Sequence, residues 1–281
     1  MRKEHTVGSC RLYEELTARR IFDDFPNRTS KRFGQNFLFD EKINRKVTDS
    51  AGILVNKVIM EVGPGPGGLT LEILKQPIKK LYAIEIDSHW CSVWRELSPM
   101  FKGKLEIIPG DALKINFKDI ASQVVISNLP YNISAPLLLK WLNEAHRYER
   151  LILMFQKEVA DRIRAAPATK AYGRLSVLAQ WKSHVEKMFD IEPGSFFPAP
   201  EVRSTVLRFS PYPKDQVTGD FQMFSSMLIH AFEHRRKYVS KSLNKLFPNA
   251  KQILCDLGYG PRTRAEEISV ADYVSLFKGL K

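Results

Sequence analysis

Short apolar runs alternate with segments of helical periodicity over the first two-thirds of the chain. The runs at 58–62 and 124–127 are mostly apolar, which is typical of strands buried on both faces. Asp40 stands before a periodic segment, where it can cap a helix that continues through Ala51. This alternation predicts a parallel α/β sheet. We expect strands at 58–62, 80–85, 105–108, 124–127 and 150–156 and helices at 69–76, 88–98 and 135–145.

The last third of the chain has a different pattern. Residues 185–191 and 204–209 predict two further strands, and the proline-containing segment 211–215 predicts a linker. Beyond it, apolar residues at helical spacing predict a small all-α domain: Phe224, Leu228, Ala231, Val239, Leu243 and Leu246. Residues 1–30 are an extension with a short helical pattern (Leu12, Leu16, Ile21) and no recognisable chemistry. The predicted division is therefore 1–30, 31–211 and 212–281.

The most informative motif follows the apolar run that ends at residue 126. It reads Asn128-Leu129-Pro130-Tyr131, which is a polar residue at a strand end, a proline turn and an aromatic ring. The side-chain oxygen of Asn128 can accept a hydrogen bond from an exocyclic amine, and we expect the Pro130 carbonyl to be free as a second acceptor. Tyr131 offers a face for base stacking, worth about 1–3 kcal/mol per base. Two acceptors beside an aromatic face suit the amino group of adenine.

A glycine-rich loop after residue 62 predicts a second part of the site. Gly63, Gly65 and Gly68 match the pattern G-x-G-x-x-G of dinucleotide-binding proteins. Pro64 and Pro66 argue against a diphosphate ligand, because each removes a backbone N–H that would bind it. The loop instead favours a ligand that needs close backbone approach without a diphosphate, such as S-adenosylmethionine. Taken alone, the loop is a weak signal.

Acidic residues follow the next two predicted strands. Glu85 lies 22 positions after Gly63, where a ribose-binding carboxylate is expected in folds of this kind. Asp111 follows the strand at 105–108 and can accept from the amine of a cofactor's adenine. Either acid alone is better explained as a solvated residue at a strand end. Four successive predicted strands are followed by the glycine loop, Glu85, Asp111 and Asn128. In open parallel sheets, ligands bind outside the carboxyl ends of the strands. The order therefore predicts one ligand site.

These motifs together resemble the small-subunit ribosomal RNA adenine N6-dimethyltransferases, the KsgA/RsmA family, from about Lys31 to the C-terminus. The matching segments are Gly34-Gln35-Asn36-Phe37-Leu38, Glu61-Val62-Gly63-Pro64-Gly65, Glu85-Ile86-Asp87, Gly110-Asp111-Ala112, Asn128-Leu129-Pro130-Tyr131 and Phe196-Phe197-Pro198-Ala199-Pro200-Glu201-Val202. The resemblance implies a Rossmann-like class I methyltransferase sheet with a smaller C-terminal all-α domain.

The same resemblance implies the reaction and the roles of individual residues. Methyl groups would pass from S-adenosyl-L-methionine to N6 of two adjacent adenines in a hairpin loop near the 3′ end of small-subunit (16S) rRNA. The product would be N6,N6-dimethyladenine, made during assembly of the 30S particle. Phe196 would flank the target base opposite Tyr131, although the adjacent Phe197 could exchange roles with it. The implied cofactor set is Asn36, Leu38, Gly63, Gly65, Glu85, Asp111 and Asn128.

Basic residues predict an RNA-binding surface. The net charge of +12 and the pI near 9.5 point to a polyanionic partner, although charge alone carries little weight. Arg235, Arg236 and Lys237 resemble the family's basic C-terminal helix. Lys237, Lys241 and Lys245 recur every four residues, which predicts a single helix face. That face is either a solubilising surface or a phosphate track along folded RNA, and the neighbouring arginines favour the track.

Other residue types bear on compartment and metal content. Cys10, Cys91 and Cys255 are widely separated and odd in number, which favours a reducing cytosol. No apolar segment is long enough to predict a membrane span. His230 and His234 fit the zinc-binding spacing H-x-x-E-H, but three cationic residues follow at once and no third ligand is apparent. We therefore expect a cytoplasmic monomer that acts on rRNA without a metal or a membrane.

Three alternatives remain open. The nearest is the same chemistry on large-subunit (23S) rRNA, as in antibiotic-resistance methyltransferases, which the fuller C-terminal domain disfavours. A non-catalytic nucleic-acid-binding relative is disfavoured by the intact Asn128, Tyr131 and glycine loop. A nicotinamide oxidoreductase is disfavoured by the two loop prolines.

Overall fold

The computed structural model of the chain describes residues 16–26, 35–217, 219–233, 237–244 and 247–280. The strands are β1 (Phe37–Leu38), β2 (Val58–Val62), β3 (Lys80–Glu85), β4 (Leu105–Pro109), β5 (Val124–Asn128), β6 (Arg150–Gln156), β7 (Ser183–Ile191), β8 (Phe196–Phe197) and β9 (Ser204–Pro211). The α-helices are α1 (Ala18–Asp24), α2 (Glu41–Asp49), α3 (Gly68–Leu74), α4 (Ser88–Leu97), α5 (Tyr131–Asn143), α6 (Lys157–Arg164), α7 (Arg174–Lys182), α8 (Phe221–Glu233), α9 (Val239–Leu243), α10 (Ala250–Asp256) and α11 (Val270–Gly279).

Seven strands form the central sheet in the order β4-β3-β2-β5-β6-β9-β7. The first five pair in parallel, whereas β9 pairs antiparallel with both β6 and β7. Every residue of β2 is buried, because a parallel sheet is covered by helices on both faces. The predicted α/β sheet is confirmed, and the strands predicted at 185–191 and 204–209 extend slightly as β7 and β9.

The strand order reverses between β2 and β5. From β2 the chain continues to β3 and β4 on one side, while β5 and β6 lie on the other. At such a switch point the loops after neighbouring strands diverge and leave a crevice above the carboxyl ends. The loop after β2 and the turn after β5 border this crevice together. A side chain at Gly63 would meet the Pro130 ring at 3.7 Å.

One helix begins where the sequence predicts it, and another begins earlier than predicted. Asp40 caps α2 as predicted, because its carboxylate accepts from the N–H groups of Lys42 (2.9 Å) and Ile43 (3.1 Å). Helix α5, in contrast, begins at Tyr131 rather than at the predicted residue 135. Pro136 therefore lies inside the helix, where it removes one backbone hydrogen bond. As a consequence, Tyr131 is held by a helix rather than by a loop.

Two hydrophobic cores lie on opposite faces of the sheet. Within β2, Ile59 packs into one core, whereas Met60 and Val62 pack into the other, as alternating side chains do. The core on the Met60 side continues into the C-terminal helices. Their predicted apolar positions are buried within it: Phe224, Leu228, Ala231, Val239 and Leu243. Leu246 lies outside the described residues. None of the helices in the described ranges is long and apolar enough to cross a membrane.

The amino-terminal part packs beside the central sheet. Strand β1 pairs antiparallel with β8, so Phe37 lies opposite Phe197 and Leu38 opposite Phe196. Helix α1 includes Ile21, which is buried as its helical pattern predicts. Of the other two residues in that pattern, Leu16 is partly buried and Leu12 lies outside the described residues.

Candidate active site

A cavity opens at the carboxyl ends of the parallel strands. It holds about 890 Å³ of empty space, counted out to its open mouth. Most of the residues that the sequence assigns to the cofactor and the adenine line this one cavity: Asn36, Leu38, Gly63, Gly65, Glu85, Asp111, Asn128, Leu129, Pro130 and Tyr131. Segments up to 95 positions apart in the chain therefore meet at one place.

The backbone of the glycine loop has no free N–H between residues 63 and 67. The N–H of Gly63 donates to the Ile84 carbonyl (2.8 Å), and that of Gly67 donates to the Pro64 carbonyl (2.9 Å). The N–H of Gly65 donates to the Glu85 carboxylate at 3.1 Å. The remaining two positions are prolines and have no N–H. Residues 63–67 therefore offer no donor for a diphosphate, which supports the argument from the two prolines.

Close packing explains why this loop is made of glycine. A side chain on Gly67 would come within 2.2 Å of the Trp94 ring, and one on Gly68 within 2.2 Å of the Leu38 carbonyl. Gly67 also has a φ of +92°, which favours glycine. Trp94 fixes the loop further, because its indole N–H donates to the Gly65 carbonyl at 2.7 Å.

Glu85 is buried, and backbone groups hold its carboxylate. One oxygen accepts from the N–H groups of Ile86 and Asp87, both at 2.9 Å, and the other accepts from Gly65. Burial raises the pKa of Glu85, while these hydrogen bonds act against the rise. The oxygen that faces Gly65 keeps one lone pair for a further donor, such as a ribose hydroxyl.

Glu61 is a buried acid of the cavity to which the sequence assigns no role. Its side chain is 1% exposed and accepts a hydrogen bond from the Thr70 hydroxyl at 2.8 Å. Burial raises the pKa of Glu61 to about 8, with a further contribution from the charge of Glu85. The sequence does contain a signal for it, since Glu61 is an ionisable residue in an otherwise apolar strand.

The loop that carries Asp111 is tied to helix α5 by Lys140. One Asp111 oxygen accepts from the N–H of Leu113 at 2.9 Å. The Lys140 ammonium donates to the carbonyls of Ala112 (3.1 Å), Leu113 (2.9 Å) and Ile115. Burial lowers the pKa of Lys140, and the charge of Asp111 acts in the opposite direction. The sequence gives no signal for this link, because Lys140 has the spacing of an ordinary helix-surface lysine.

In the turn after β5, the free backbone acceptor is not the one that the sequence predicts. The Pro130 carbonyl is not free, because it accepts from the N–H of Ile133 at 3.1 Å as α5 begins. Within the described part of the chain, no donor reaches the carbonyl of Leu129, so this group is the available backbone acceptor. Asn128 donates its side-chain N–H to the Asn36 carbonyl at 3.2 Å, which leaves its side-chain oxygen as an acceptor.

The two aromatic residues expected around the base have different environments. The Tyr131 hydroxyl lies 2.7 Å from that of Ser204, and burial raises the pKa of Tyr131. Phe196 is 5% exposed and packs in the core on the Ile59 side of the sheet, whereas the neighbouring Phe197 is 46% exposed. The stacking role of Phe196, and its possible exchange with Phe197, therefore stay predictions.

The prediction that Lys237 and Lys241 share one helix face is wrong. Lys237 does not lie on a helix, because it forms a bend and α9 begins only at Val239. Between them, Tyr238 forms an isolated β-bridge with Arg264. Lys237 therefore cannot share one helix face with Lys241. Both lysines are exposed, whereas Arg235, Arg236, Lys245 and His234 lie outside the described residues. In the described ranges, no cluster of His, Cys, Asp and Glu is placed to hold a metal ion.

Comparison with known proteins identifies the family. The model of the family "Ribosomal RNA adenine dimethylase" matches residues 26–281. The chain belongs to the ribosomal RNA adenine dimethylase family. Ribosomal RNA small subunit methyltransferase A of Rhodospirillum rubrum is 40% identical over 252 residues, which cover 89% of this chain and 87% of that protein. The Paracoccus denitrificans protein of the same name is 39% identical over 258 residues, covering 90% and 92%.

Solved structures confirm the fold of this adenine dimethylase. A dimethyladenosine transferase from Plasmodium falciparum superimposes with a TM-score of 0.73 at 26% identity, covering 87% of this chain and 98% of that one. The 23S rRNA methyltransferase ErmE gives a TM-score of 0.67 at 22% identity over 87% and 99% of the two chains, which shows the fold alone. The predicted class I methyltransferase sheet with a helical C-terminal part is therefore confirmed.

Proposed function

We propose that this adenine dimethylase transfers methyl groups from S-adenosyl-L-methionine to N6 of two adjacent adenines near the 3′ end of small-subunit rRNA. The product is N6,N6-dimethyladenine in a hairpin loop, formed while the small subunit assembles. One observation carries the proposal: the glycine loop, the acids Glu85 and Asp111 and the turn at 128–131 line the same cavity. The names of the relatives support small-subunit rather than large-subunit rRNA as the substrate.

The residues of the cavity fit S-adenosylmethionine better than a dinucleotide. Because the loop offers no free N–H at 63–67, a diphosphate would be poorly bound. Glu85 and Asp111 are acceptors that suit a ribose hydroxyl and an adenine amine. Glu61 adds a buried carboxyl group, and the positive charge of the cofactor's methionine part would favour its ionised form. Asn36 and Leu38 also line the cavity.

The bound cofactor supplies a sulfonium methyl group that is already activated for transfer, so no covalent enzyme intermediate is needed. The enzyme's own contribution is to hold the adenine amine. The side-chain oxygen of Asn128 and the Leu129 carbonyl accept the two N6 hydrogens, which turns the nitrogen lone pair toward the methyl carbon. Positioning of this kind supplies as much as about 7–11 kcal/mol in favourable cases. None of the motif residues is a strong general base, and the proton released after transfer passes to water.

The target adenine must leave its stack before it enters the cavity. Tyr131 stacks on one face of the extruded base, and Phe196 is proposed to flank the other. After the first transfer the monomethylated amine rotates about its C–N bond, and fresh cofactor binds for the second. The hydrogen bond between Tyr131 and Ser204 holds the stacking ring in place through both transfers.

The helical part at 212–281 is proposed to hold the folded RNA. Lys237 and Lys241 are exposed cations on this part, and the same role is proposed for Arg235 and Arg236. Contacts of this kind bind phosphates, position the RNA and carry no sequence information. The choice of adenine then rests on the shape of the RNA and on the cavity.

A methyl-transfer assay tests the proposal directly. Purified protein is mixed with S-adenosylmethionine that carries a tritiated methyl group and with small or large ribosomal subunits from cells that lack this methylation. The proposal expects label in the small-subunit rRNA and its recovery as N6,N6-dimethyladenine. Label confined to the large subunit would support the alternative substrate, and absence of label from both would support a non-catalytic relative.

A further inference from the structure

Helix α1 lies before the part of the chain that the family model matches, yet it is packed into the core. The match begins at residue 26, whereas α1 spans Ala18–Asp24. Thr17 caps the helix, since its hydroxyl accepts from the N–H of Arg20 at 3.2 Å. Ile21 is 1% exposed and belongs to the core that also contains Phe37 and Leu38. The helix is therefore docked on this side of the molecule.

Phe22 of α1 is the centre of an aromatic cluster. Its ring makes edge contacts with Phe37 at 5.8 Å, Phe39 at 5.5 Å and Phe197 at 5.8 Å between centroids. It also stacks on Trp90 at 6.3 Å. Such pairs stabilise the packing beyond the burial of their area. One side chain of α1 thus joins strand β1, strand β8 and helix α4.

The cluster is continuous with the cofactor wall. The Phe37 ring packs directly on the glycine loop, because a side chain at Gly65 would lie 2.9 Å from it. The next residue, Leu38, lines the cavity, and its carbonyl accepts from the Asn44 side chain at 2.9 Å. Phe22 therefore supports the outer side of a wall whose inner side faces the proposed cofactor.

Two further contacts hold α1 in place. At its C-terminal end, the Phe25 carbonyl lies 3.2 Å from Nε2 of His89, which is on α4. The Arg19 guanidinium lies over the ring of Phe39, 5.5 Å from its centroid. The helix is thus attached near its C-terminal end to α4 and near its N-terminal end to Phe39, which follows β1.

We infer that α1 is a strap that retains the cofactor, with Phe22 as a positioning residue that presses Phe37 and the 35–38 wall against the glycine loop. The inference rests on the proposed function, because it takes S-adenosylmethionine as the ligand. Phe22 touches neither the cavity nor the reacting atoms. Its loss should therefore loosen binding and speed release of the cofactor, while the chemistry at saturating cofactor is kept.

The test compares three full-length variants with the wild type. Phe22→Ala removes the ring, and Phe22→Leu keeps much of the apolar volume. Phe232→Ala is the matched control, because Phe232 is also half-buried and contacts two aromatic rings, Tyr172 and Tyr273, away from the cavity. Calorimetry gives the Kd for S-adenosylmethionine, and methyl-transfer assays separate KM from kcat.

Phe22→Ala should raise the Kd and the KM for S-adenosylmethionine about tenfold, equivalent to about 1.4 kcal/mol, with kcat within about twofold of wild type. Phe22→Leu should raise both about threefold, which keeps the test decisive if the alanine variant folds poorly. Phe232→Ala should leave the Kd unchanged. A wild-type Kd in Phe22→Leu and Phe22→Ala, or an equal loss in the control, would overturn the inference. Failure of the wild type to bind the cofactor would instead refute the proposed function, and the inference with it.

Discussion

The hydroxyl of Tyr131, the first residue of α5, lies 2.7 Å from the hydroxyl of Ser204, the first residue of β9. This bond joins the turn of the proposed adenine site to the antiparallel strand β9, 73 positions away in the chain. Ser204 is fully buried, so the bond is shielded from water. It fixes the position of the ring on which the base is proposed to stack.

Removing either hydroxyl should therefore impair RNA methylation without weakening cofactor binding. Tyr131→Phe and Ser204→Ala should each lower kcat/KM for RNA about 3- to 10-fold, and the double variant should be no worse than either, because the same hydrogen bond is missing from all three. Tyr131→Ala should lose more, since base stacking is also removed. Additive losses in the double variant would show that the two hydroxyls act separately.

Replacing Asp111 should change the affinity for the cofactor rather than the affinity for RNA. Asp111→Ala removes the acceptor proposed for the cofactor's adenine amine, and we expect about a tenfold or greater rise in the Kd for S-adenosylmethionine. Asp119→Ala is a matched control in the same loop region, because its carboxylate accepts only from the nearby Asn116 among the described residues and does not line the cavity. Calorimetric titration of both variants checks the assignment, which a wild-type Kd in Asp111→Ala would remove.

Glu61 should make stability depend on pH. Its pKa in the folded protein is about 8, against an ordinary value of 4.5, so the folded state holds more protons between these values. The contribution of Glu61 to the free energy of unfolding must then fall as pH rises through this window and level off above it. Glu61→Gln stays neutral and keeps an acceptor for Thr70, so it should lose this contribution to the slope. Urea unfolding from about pH 5 to pH 8 measures the difference. If the free energy of unfolding depended on pH in the same way in both proteins, the burial of an ionisable Glu61 would be contradicted.

The exposed lysines of the helical part should determine how RNA binding responds to salt. Replacing Lys237 and Lys241 by Ala should weaken binding and reduce the slope of log K against log salt by about one unit for each phosphate that is no longer neutralised. Lys79 and Lys104 serve as the paired control, because they are also exposed but lie at the amino ends of β3 and β4, away from the cavity. A filter-binding titration at several salt concentrations provides the slopes. Equal slopes for the two double variants would argue against a phosphate role for Lys237 and Lys241.

Much of this site can be predicted because its residues stand next to strands that the sequence reveals. Apolar runs locate Glu85, Asp111 and Asn128, and the topology of a parallel sheet brings the carboxyl ends of those runs together. The glycine loop is visible for the same reason. Here the local pattern and the global fold agree, which makes the inference reliable.

Contacts between distant segments could not be predicted. The bond from Tyr131 to Ser204 and the attachment of Lys140 to the Asp111 loop depend on packing, of which the separate segments carry no trace. The error at Pro130 has a local cause, because the helix begins earlier than predicted and uses the carbonyl that the sequence predicts to be free. Likewise the lysine periodicity places Lys237 on a helix because it continues across a break between two helices.

The central claim is that the turn at 128–131 holds an adenine amine beside the methyl donor. A crystal structure of the enzyme with S-adenosylhomocysteine and the small-subunit rRNA hairpin tests it most directly. We expect the adenine N6 within about 2.7–3.2 Å of both the Asn128 side-chain oxygen and the Leu129 carbonyl, with its ring against Tyr131. An adenine bound outside this cavity, or with N6 turned away from both acceptors, would contradict the claim.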